Sequence, residues 1–479
     1  MGQPANILQF NFFSQSAVYP FRRMPFPDRM TPQELRASVG LAGIFGLRML
    51  GMFIILPVFA LYAERLPGGQ DHALVGLALG AYGLTQACLQ VPFGWLSDRW
   101  GRKRTIYLGL VIFALGSFMA AVAQDIATVI LGRVIQGAGA ISAAVIALTA
   151  DLTRDEQRTK AMAIIGVTIG ATFALSMVAG PVLDQVMGVP GIFALTGFLA
   201  LAAIVVVRFV IPDPAQSRAG RSSAGPAVPV GRVLLDQQLL RLNYGIFALH
   251  AVLMALFVVV PFSLRAHLPA GSHWMVYLPV MCGAFVLMLP PMLAAERKGL
   301  QKTVFIGAVG TLIAALLLLA LGSDGLAGLA AGLLVFFTAF NLLEATLPSL
   351  ISKLAPAGTK GTAIGVYSSV QFIGTFMGAA VGGWLSQHYG AQAVFEFCAA
   401  LAAVWLLLAL GMRVPESLDT RRYQLPKMDS QAVPGLTRRL AGLPGVREVT
   451  LSGEGVAYLR VDSQGFDEQN VIKLLGGET

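Results

Sequence analysis

Apolar segments, each long enough to cross a lipid bilayer, recur along most of this chain. A membrane-spanning helix needs about 20 mostly apolar residues. Segments of this kind lie at residues 38–63, 73–97, 105–124, 127–150, 160–184, 190–211, 241–264, 273–294, 302–321, 325–351, 361–386 and 391–412. Because a helix satisfies its own backbone hydrogen bonds within hydrocarbon, the pattern predicts an all-α membrane protein with twelve spans.

The composition supports this fold class and argues against others. Hydrophobic residues make up 56% of the 479 residues and charged residues 12%, whereas a soluble domain typically contains about 25% charged residues. The net charge of +9 comes from cations at the ends of apolar segments, so no nucleic-acid binding is expected. The three cysteines lack the spacing of a metal site or a disulfide framework, and neither a metal nor a cofactor is expected.

The sequence divides into five parts. Residues 1–36 form a mixed, Pro-rich cytoplasmic segment without the charged-then-apolar order of a signal peptide. Two predicted six-helix halves, 37–211 and 241–413, flank a cytoplasmic linker at 212–240 that is rich in Pro, Ser, Ala and Gly. The remaining residues, 414–479, are predicted to form a small cytoplasmic α+β domain.

The elements of this small domain follow the order β-α-β-β-α. Strands are predicted at 422–427, 446–451 and 455–461, with helices at 432–442 and 467–475. This order is that of a ferredoxin-like domain.

Positive charges are distributed unequally between the predicted loops. Sixteen Lys and Arg residues lie in the loops that follow spans 2, 4, 6, 8 and 10, whereas the other loops contain only Arg65 and Arg265. Cytoplasmic loops of membrane proteins carry an excess of Lys and Arg. Both termini are therefore predicted to be cytoplasmic.

The most distinctive loop is 94–104, with the sequence Gly-Trp-Leu-Ser-Asp-Arg-Trp-Gly-Arg-Lys-Arg. Its segment 98–101 recurs in degenerate form at 296–299, and the segment 159–164 recurs at 359–364. The two offsets, 198 and 200 residues, are nearly equal. They indicate duplicated six-helix halves.

Loop 94–104 fits the pattern G-x-L-x-D-R-x-G-R-[KR], and residues 36–413 resemble the major facilitator superfamily of transporters. Residues 48–51 and 340–349 further resemble the YajR-type transporters, which have a twelve-helix core and a small cytoplasmic C-terminal domain. The resemblance implies two pseudo-symmetric halves, a bacterial inner-membrane location, and secondary active transport rather than enzymatic activity.

The resemblance also implies that loop 94–104 belongs to a conformational latch between the halves. In this family, Asp98 meets the beginning of span 11, near Lys360, and Arg102 contacts an acid that corresponds to Asp151 at the end of span 4. A carboxylate can stabilise a helix N-terminus or pair with a guanidinium. The alternative is that the cations only set the topology. The other predicted members of the latch are Gly94, Arg99, Gly101 and Arg104.

Five ionisable residues lie within predicted spans, where charged groups are costly and usually functional. Glu344 is the leading candidate for a proton carrier, with a fixed structural ion pair as the alternative. Arg133 begins an R-x-x-Q-G-x-G pattern that the family associates with proton coupling. Arg48 is a cavity candidate, and His250 is either a cavity residue or a hydrogen-bonded core histidine. Asp184 stands where drug antiporters of the family carry glycine, so the antiporter signature is incomplete.

Polar amides and small residues also lie within the spans. Gly374, Gly378 and Gly382 are spaced four apart in span 11, a pattern that lets helices pack closely. Four amides are candidates for orienting a substrate, with bridging between helices as the alternative. They are Gln86, Gln90, Asn341 and Gln371.

The predicted function is proton-coupled efflux of small, partly apolar compounds by alternating access. The expected partners are a small-molecule substrate, protons and the lipid bilayer. The C-terminal domain is expected to bind a protein or a regulatory ligand, or to act only as a stabilising appendage. Import is the alternative direction, and a transporter-fold sensor that signals through the C-terminal domain is the alternative function. A membrane enzyme is not favoured, because the sequence lacks nucleotide-loop, zinc-protease and nucleophile-elbow motifs.

Overall fold

The chain forms two compact units, one comprising Arg29–Pro415 and the other including Glu416–Thr479. The computed structural model describes residues 30–154, 157–213, 235–322, 325–355, 360–412, 418–425, 433–452, 456–462 and 465–474. Residues 1–29 and most of the predicted linker therefore lie outside the described residues.

Within the first unit, ten helical stretches of the described residues are long and apolar enough to cross a membrane. Span 1 comprises the helices Pro32–Phe53 and Leu56–Ala63, and span 4 comprises Ile126–Ala138 and Ser142–Leu152. The other helices are His72–Trp100 (span 2), Arg102–Ala121 (span 3), Arg158–Phe209 (spans 5 and 6), Gln237–Arg265 (span 7), Trp274–Arg297 (span 8), Gln301–Gly322 (span 9), Leu326–Leu354 (span 10) and Lys360–Leu410 (spans 11 and 12).

Two of these helices, Arg158–Phe209 and Lys360–Leu410, are too long for a single crossing. A straight helix of about 50 residues would be about 75 Å long, more than twice the ~30 Å hydrocarbon core. Each is broken by a glycine with positive φ, Gly188 at 68° and Gly390 at 80°, a conformation that glycine adopts without a steric penalty. Each long helix is therefore two spans, which gives the twelve predicted from the sequence.

The same backbone breaks reveal the duplication of the halves. Gly101 and Gly299, which end the recurring four-residue segment, both have positive φ, 106° and 66°. Gly188 and Gly390 form a second pair with the same property. The sequence repeat therefore coincides with a repeat of local backbone geometry.

Side-chain caps define where several spans begin. Thr31 and Glu34 form a capping box at the start of span 1, and Asp71, Asp125 and Asp236 each accept a backbone N–H at the start of a helix. Such caps satisfy donors that have no partner inside the helix. The capping box explains why span 1 begins at Pro32, six residues before the predicted apolar run at 38–63.

The glycine stripe of span 11 lies directly against span 7. A β-carbon added at Gly374, Gly378 or Gly382 would meet the backbone of span 7 near Phe247, Ala251 or Ala255 respectively. Close approach of this kind requires small residues, as in membrane helix pairs generally.

The second unit is a three-stranded antiparallel sheet with two helices. Its elements are β1 Leu418–Gln424, a helix Val433–Ala441, β2 Val446–Ser452, β3 Val456–Asp462 and a helix Glu468–Leu474. The strand order is β1-β3-β2, which is the split β-α-β arrangement of a ferredoxin-like domain.

The main difference from the predicted elements of this unit is the first strand. The sequence predicts this strand at 422–427, whereas it begins at Leu418 and ends at Gln424; residues 426 and 427 lie outside the described residues. Its limits are set by pairing with β3, from Leu418 opposite Asp462 to Gln424 opposite Val456. Local alternation in the sequence carries no information about that partner.

Candidate functional site

Arg102 is the centre of the polar contacts in loop 94–104. Its guanidinium pairs with Asp98 one turn earlier and with Asp151 at the end of span 4, at 3.1 Å from Nε to Oδ2. Nη1 also donates to the Ser97 hydroxyl at 3.1 Å. The structure thus brings together the Arg102 and Asp151 side chains that the family resemblance associates.

The remaining latch candidates are arranged more loosely. The Asp98 side chain is 64% exposed and pairs with Arg102; the side chain of Lys360, its expected neighbour, lies outside the described residues. Arg99 stacks on the Trp95 ring at 4.3 Å, Arg104 is exposed, and a β-carbon at Gly94 would meet only Ala143.

Two further ion pairs lie on the loop face, the end of the bundle that carries loop 94–104. Lys103 pairs with Asp213 at 2.7 Å, after span 6, and this contact holds the pKa of the Asp213 carboxyl below its usual range. Arg154 donates from Nε and Nη2 to the two carboxylate oxygens of Glu34, at 2.8 and 2.9 Å. The four ion pairs described on this face all join residues between Glu34 and Asp213.

Replacing Arg154 by Ala is expected to destabilise the protein. The Glu34 carboxylate is 93% buried and would lose a bidentate partner, whereas the Arg154 side chain is 40% exposed. The expected cost is about 1–3 kcal/mol, below that of a fully buried pair. Thermal unfolding of the purified protein measures it, with Arg104→Ala as the control for loss of an exposed cation. Equal unfolding midpoints for the two variants would contradict the prediction.

On the opposite face of the bundle, polar contacts join the two halves. Glu64 pairs with Arg265 at the end of span 7. His72, at the start of span 2, contacts the Ser386 hydroxyl through Nδ1 at 2.9 Å, and its backbone N–H donates to Gln387 at 2.8 Å. None of these three contacts was anticipated from the sequence.

Close helix packing accompanies these contacts. A β-carbon at Gly76, Gly80 or Gly83 of span 2 would meet the backbone of span 11 within 372–383. The described residues of the two halves are therefore closely packed at the opposite face.

Arg48 and Arg133 form a cationic cluster inside the first half, together with Tyr82, Gln136 and Ser142. Arg48 donates to the Ser142 hydroxyl and, from Nη2, to the Tyr82 hydroxyl at 2.9 Å. Arg133 donates from Nη1 to Gln136, and its guanidinium carbon lies 4.9 Å from the centre of the Tyr82 ring. Tyr82, which no sequence motif identifies, thus contacts both cations.

Glu344 lies in a second polar cluster, where spans 7, 10 and 11 meet. Its Oε2 is 3.8 Å from Nε2 of His250, which in turn lies 2.7 Å from Nε2 of Gln371. The Glu344 side chain is 28% exposed, and its Oε2 has no hydrogen-bond partner among the described residues. The cluster therefore places a carboxylate oxygen, itself buried, beside a buried imidazole.

The other predicted residues differ in their surroundings. Gln86 and Gln90 are buried and bond to each other at 3.0 Å. Asn341 is buried, and its side-chain N–H group has no partner within the described chain. Asp184 accepts the Val189 backbone N–H at the end of span 5. The structure therefore brings neither Gln86 nor Asp184 into the Glu344 cluster.

The sequence matches the Major Facilitator Superfamily over residues 41–379 and 293–447. The chain belongs to this superfamily. Its relatives include proteins that are named as transporters. The inner membrane transport protein YajR of Escherichia coli is 45% identical over 91% of this chain and 96% of YajR.

Two more distant proteins are also similar. The quinolone resistance protein NorA of Staphylococcus aureus is 30% identical over 45% of this chain and 53% of NorA. The structure of a bacterial homologue of the human lysosomal transporter Spinster, in an inward-facing and occupied conformation, has a TM-score of 0.64 and 14% identity over 80% of this chain and 96% of its own. The chain itself is therefore a multi-pass inner-membrane transporter.

Proposed function

We propose that the protein exports small, partly apolar compounds in exchange for protons by alternating access. The excess of Lys and Arg in the loops of the loop face supports a cytoplasmic position for that face. On this orientation the structure is inward-facing, because the halves are packed together at the opposite, periplasmic face. Both termini are then cytoplasmic.

The observation that carries the proposal is the Glu344 cluster. Three spans of the second half converge there, and the carboxylate lies 3.8 Å from His250, which contacts Gln371 of span 11. Span 11 also packs on span 2 of the other half at the closed face. A change in the charge of Glu344 therefore acts on span 11, a helix that takes part in opening and closing. A proton that binds the inward-facing and outward-facing states with different affinities shifts the equilibrium between them.

The direction of transport is proposed from a relative. NorA, whose name records quinolone resistance, is 30% identical over 45% of this chain. Aromatic side chains near the Glu344 cluster, including Phe340 at 6.1 Å from the His250 ring, favour partly apolar substrates.

Flux measurements in proteoliposomes test the proposal. With a pH gradient imposed, a panel of lipophilic compounds is screened for movement against proton entry, and a pH-sensitive dye reports the protons. Proton movement that depends on a transported compound is the expected result. Transport of compounds with no accompanying proton movement would contradict the coupling, and absence of any flux would contradict export.

Asp98→Asn is expected to slow this flux without affecting membrane insertion. We propose that Asp98 leaves Arg102 and contacts the beginning of span 11 when the loop face closes. The asparagine amide lacks the negative charge that both contacts need. Because a surface ion pair contributes about 0.2–1 kcal/mol, a decrease of about fivefold is the upper expectation. Glu296→Gln, the equivalent position in the second half, is the matched control. Equal flux in the two variants would contradict the latch.

A further inference from the structure

The cationic cluster has an unusual charge balance. Arg48 is 2% exposed and Arg133 is 0% exposed, yet no carboxylate lies within ion-pair distance of either guanidinium in the described part of the chain. The groups that they contact, Ser142, Tyr82 and Gln136, are all neutral. Buried cations are usually paired, because the desolvation of an unpaired charge is costly.

Several guanidinium nitrogens in this cluster also lack partners. Nε of Arg48 and both Nε and Nη2 of Arg133 are buried without a hydrogen-bond acceptor among the described residues. Most buried polar atoms in proteins have a partner. Guanidinium N–H groups match the oxygens of carboxylates, sulfonates and phosphates in both charge and geometry. The cluster therefore has the charge and the free donors of an oxyanion site.

The position of the cluster relates it to the transport cycle. Arg48, Tyr82 and Arg133 belong to spans 1, 2 and 4 of the first half, and Phe372 of span 11 covers them from the second half. The Phe372 ring lies 6.0 Å from the Arg48 guanidinium carbon and 6.4 Å from the Tyr82 ring. Because Gly83 packs on the backbone of span 11 at Phe372, separation of spans 2 and 11 would uncover the cluster.

The surroundings also indicate what accompanies the anionic group. The Arg48 guanidinium lies 5.9 Å from the centres of the Phe45 and Tyr82 rings. Aromatic faces near a cation provide apolar contact area for a flat organic ligand. The cluster thus suits an anionic group carried on an aromatic or otherwise apolar body.

We propose that the Arg48–Arg133 cluster is the binding site for an oxyanion group, a carboxylate or a sulfonate, of the exported compound. The inference rests on the proposed transport function and specifies its substrate class as organic anions. The exported anion occupies the site before the periplasmic face opens, and it leaves when span 11 and Phe372 have moved away from Arg48. Loss of the anion allows the halves to pack together again.

Reaction of an introduced cysteine with charged reagents tests the site without knowledge of the natural substrate. Ser142→Cys places a thiol beside Arg48 in a full-length chain whose Cys88, Cys282 and Cys398 are replaced. The rates at which this thiol reacts with the anionic reagent, sulfonatoethyl methanethiosulfonate, and the cationic reagent, trimethylammonioethyl methanethiosulfonate, are measured. Each rate is divided by the rate at which the same reagent reacts with a free thiol. The normalised ratio is expected to favour the anionic reagent by about tenfold or more, because clustered positive charge concentrates anions.

Matched variants separate the two cations from other effects. Arg48→Gln and Arg133→Gln, each tested alone, should lower the ratio, whereas Arg133→Lys should largely retain it. Ser369→Cys on span 11 is the positional control and should show no preference for the anionic reagent. Naphthoate should slow labelling at position 142, and the neutral naphthamide should not.

The proposal is overturned if neither reagent labels Ser142→Cys in membranes, because the site then never opens. It is also overturned if the ratio is unchanged in both Gln variants, or if naphthoate and naphthamide protect equally or not at all. None of these readouts requires a pH gradient. If labelling is anion-selective but no coupled flux is seen, only the proposal of proton-driven export is contradicted. If coupled flux is seen but labelling is not anion-selective, only the proposal of the anion site is contradicted.

Discussion

Glu344→Gln is expected to abolish proton-driven transport while leaving substrate binding and exchange intact. The amide preserves the size of the side chain but cannot gain or lose a proton, so the two states of the carrier no longer respond to pH through this site. The pH-gradient-driven flux should fall by about ten- to hundredfold, the usual size of a coupling between two ligands. Substrate exchange at equal pH on both sides should continue, because it needs no net proton movement.

Glu396→Gln is the matched control for this experiment. Glu396 is an exposed carboxylate after Gly390 that bonds to Gln392 at 3.0 Å, and it does not belong to the Glu344 cluster. Flux in this variant should match that of the unmodified protein. If Glu344→Gln retained the full pH dependence of flux, Glu344 would be excluded as the proton carrier. If it also stopped exchange at equal pH, the residue would be needed for binding or folding instead.

Gly76→Leu is expected to hold the two halves apart at the face where they are now packed. A side chain at this position would collide with the span 11 backbone at Ala379 and Gly383. Overpacking of a tight contact typically costs about 1–3 kcal/mol, and the halves can avoid that cost by separating. At about 2 kcal/mol, the equilibrium would shift by about thirtyfold toward the state that is open on this face, and transport should nearly cease.

Disulfide trapping measures this shift directly. In the structure His72 and Ser386 are in contact across the halves, so cysteines at these two positions should cross-link readily in the parent protein and poorly in the Gly76→Leu background. Gly43→Leu in span 1 is the control, because a β-carbon there meets no other atom within 4 Å. Equal cross-linking in both backgrounds would show that Gly76 does not control closure. Loss of membrane-inserted protein would show instead that the packing is needed for folding.

Much of the architecture could be predicted from the sequence because it depends on local properties. A run of about 20 apolar residues favours the bilayer wherever it lies in the chain. The apolar run did not reveal the capping box of Thr31 and Glu34, which begins span 1 six residues before the predicted start. The glycines at 374, 378 and 382 likewise predicted a close helix contact, although their partner, span 7, was known only from the structure. The Arg102–Asp151 contact was anticipated because the loop resembles a known family.

The composition of the candidate site could not be predicted in the same way. Arg48 was recognised as an ionisable residue inside a span, but its contacts with Tyr82 and Ser142 join residues 34 and 94 positions apart. The same holds for Glu34 with Arg154 and for His250 with Gln371, separated by 120 and 121 positions. The sequence also did not identify His72 or Glu64 as residues that join the two halves.

The sequence by itself therefore determined the number of spans, their order and repeat, the sign of the loop charges and the presence of ionisable groups within the bilayer region. Only the tertiary structure decided which of those groups meet, which face of the bundle is closed, and that two buried arginines lack an anionic partner. The reason is the range of the forces involved. Transfer of an apolar segment into hydrocarbon depends on local composition, whereas a hydrogen bond or ion pair requires atoms about 3 Å apart in the correct direction, which the rotation and packing of distant helices set.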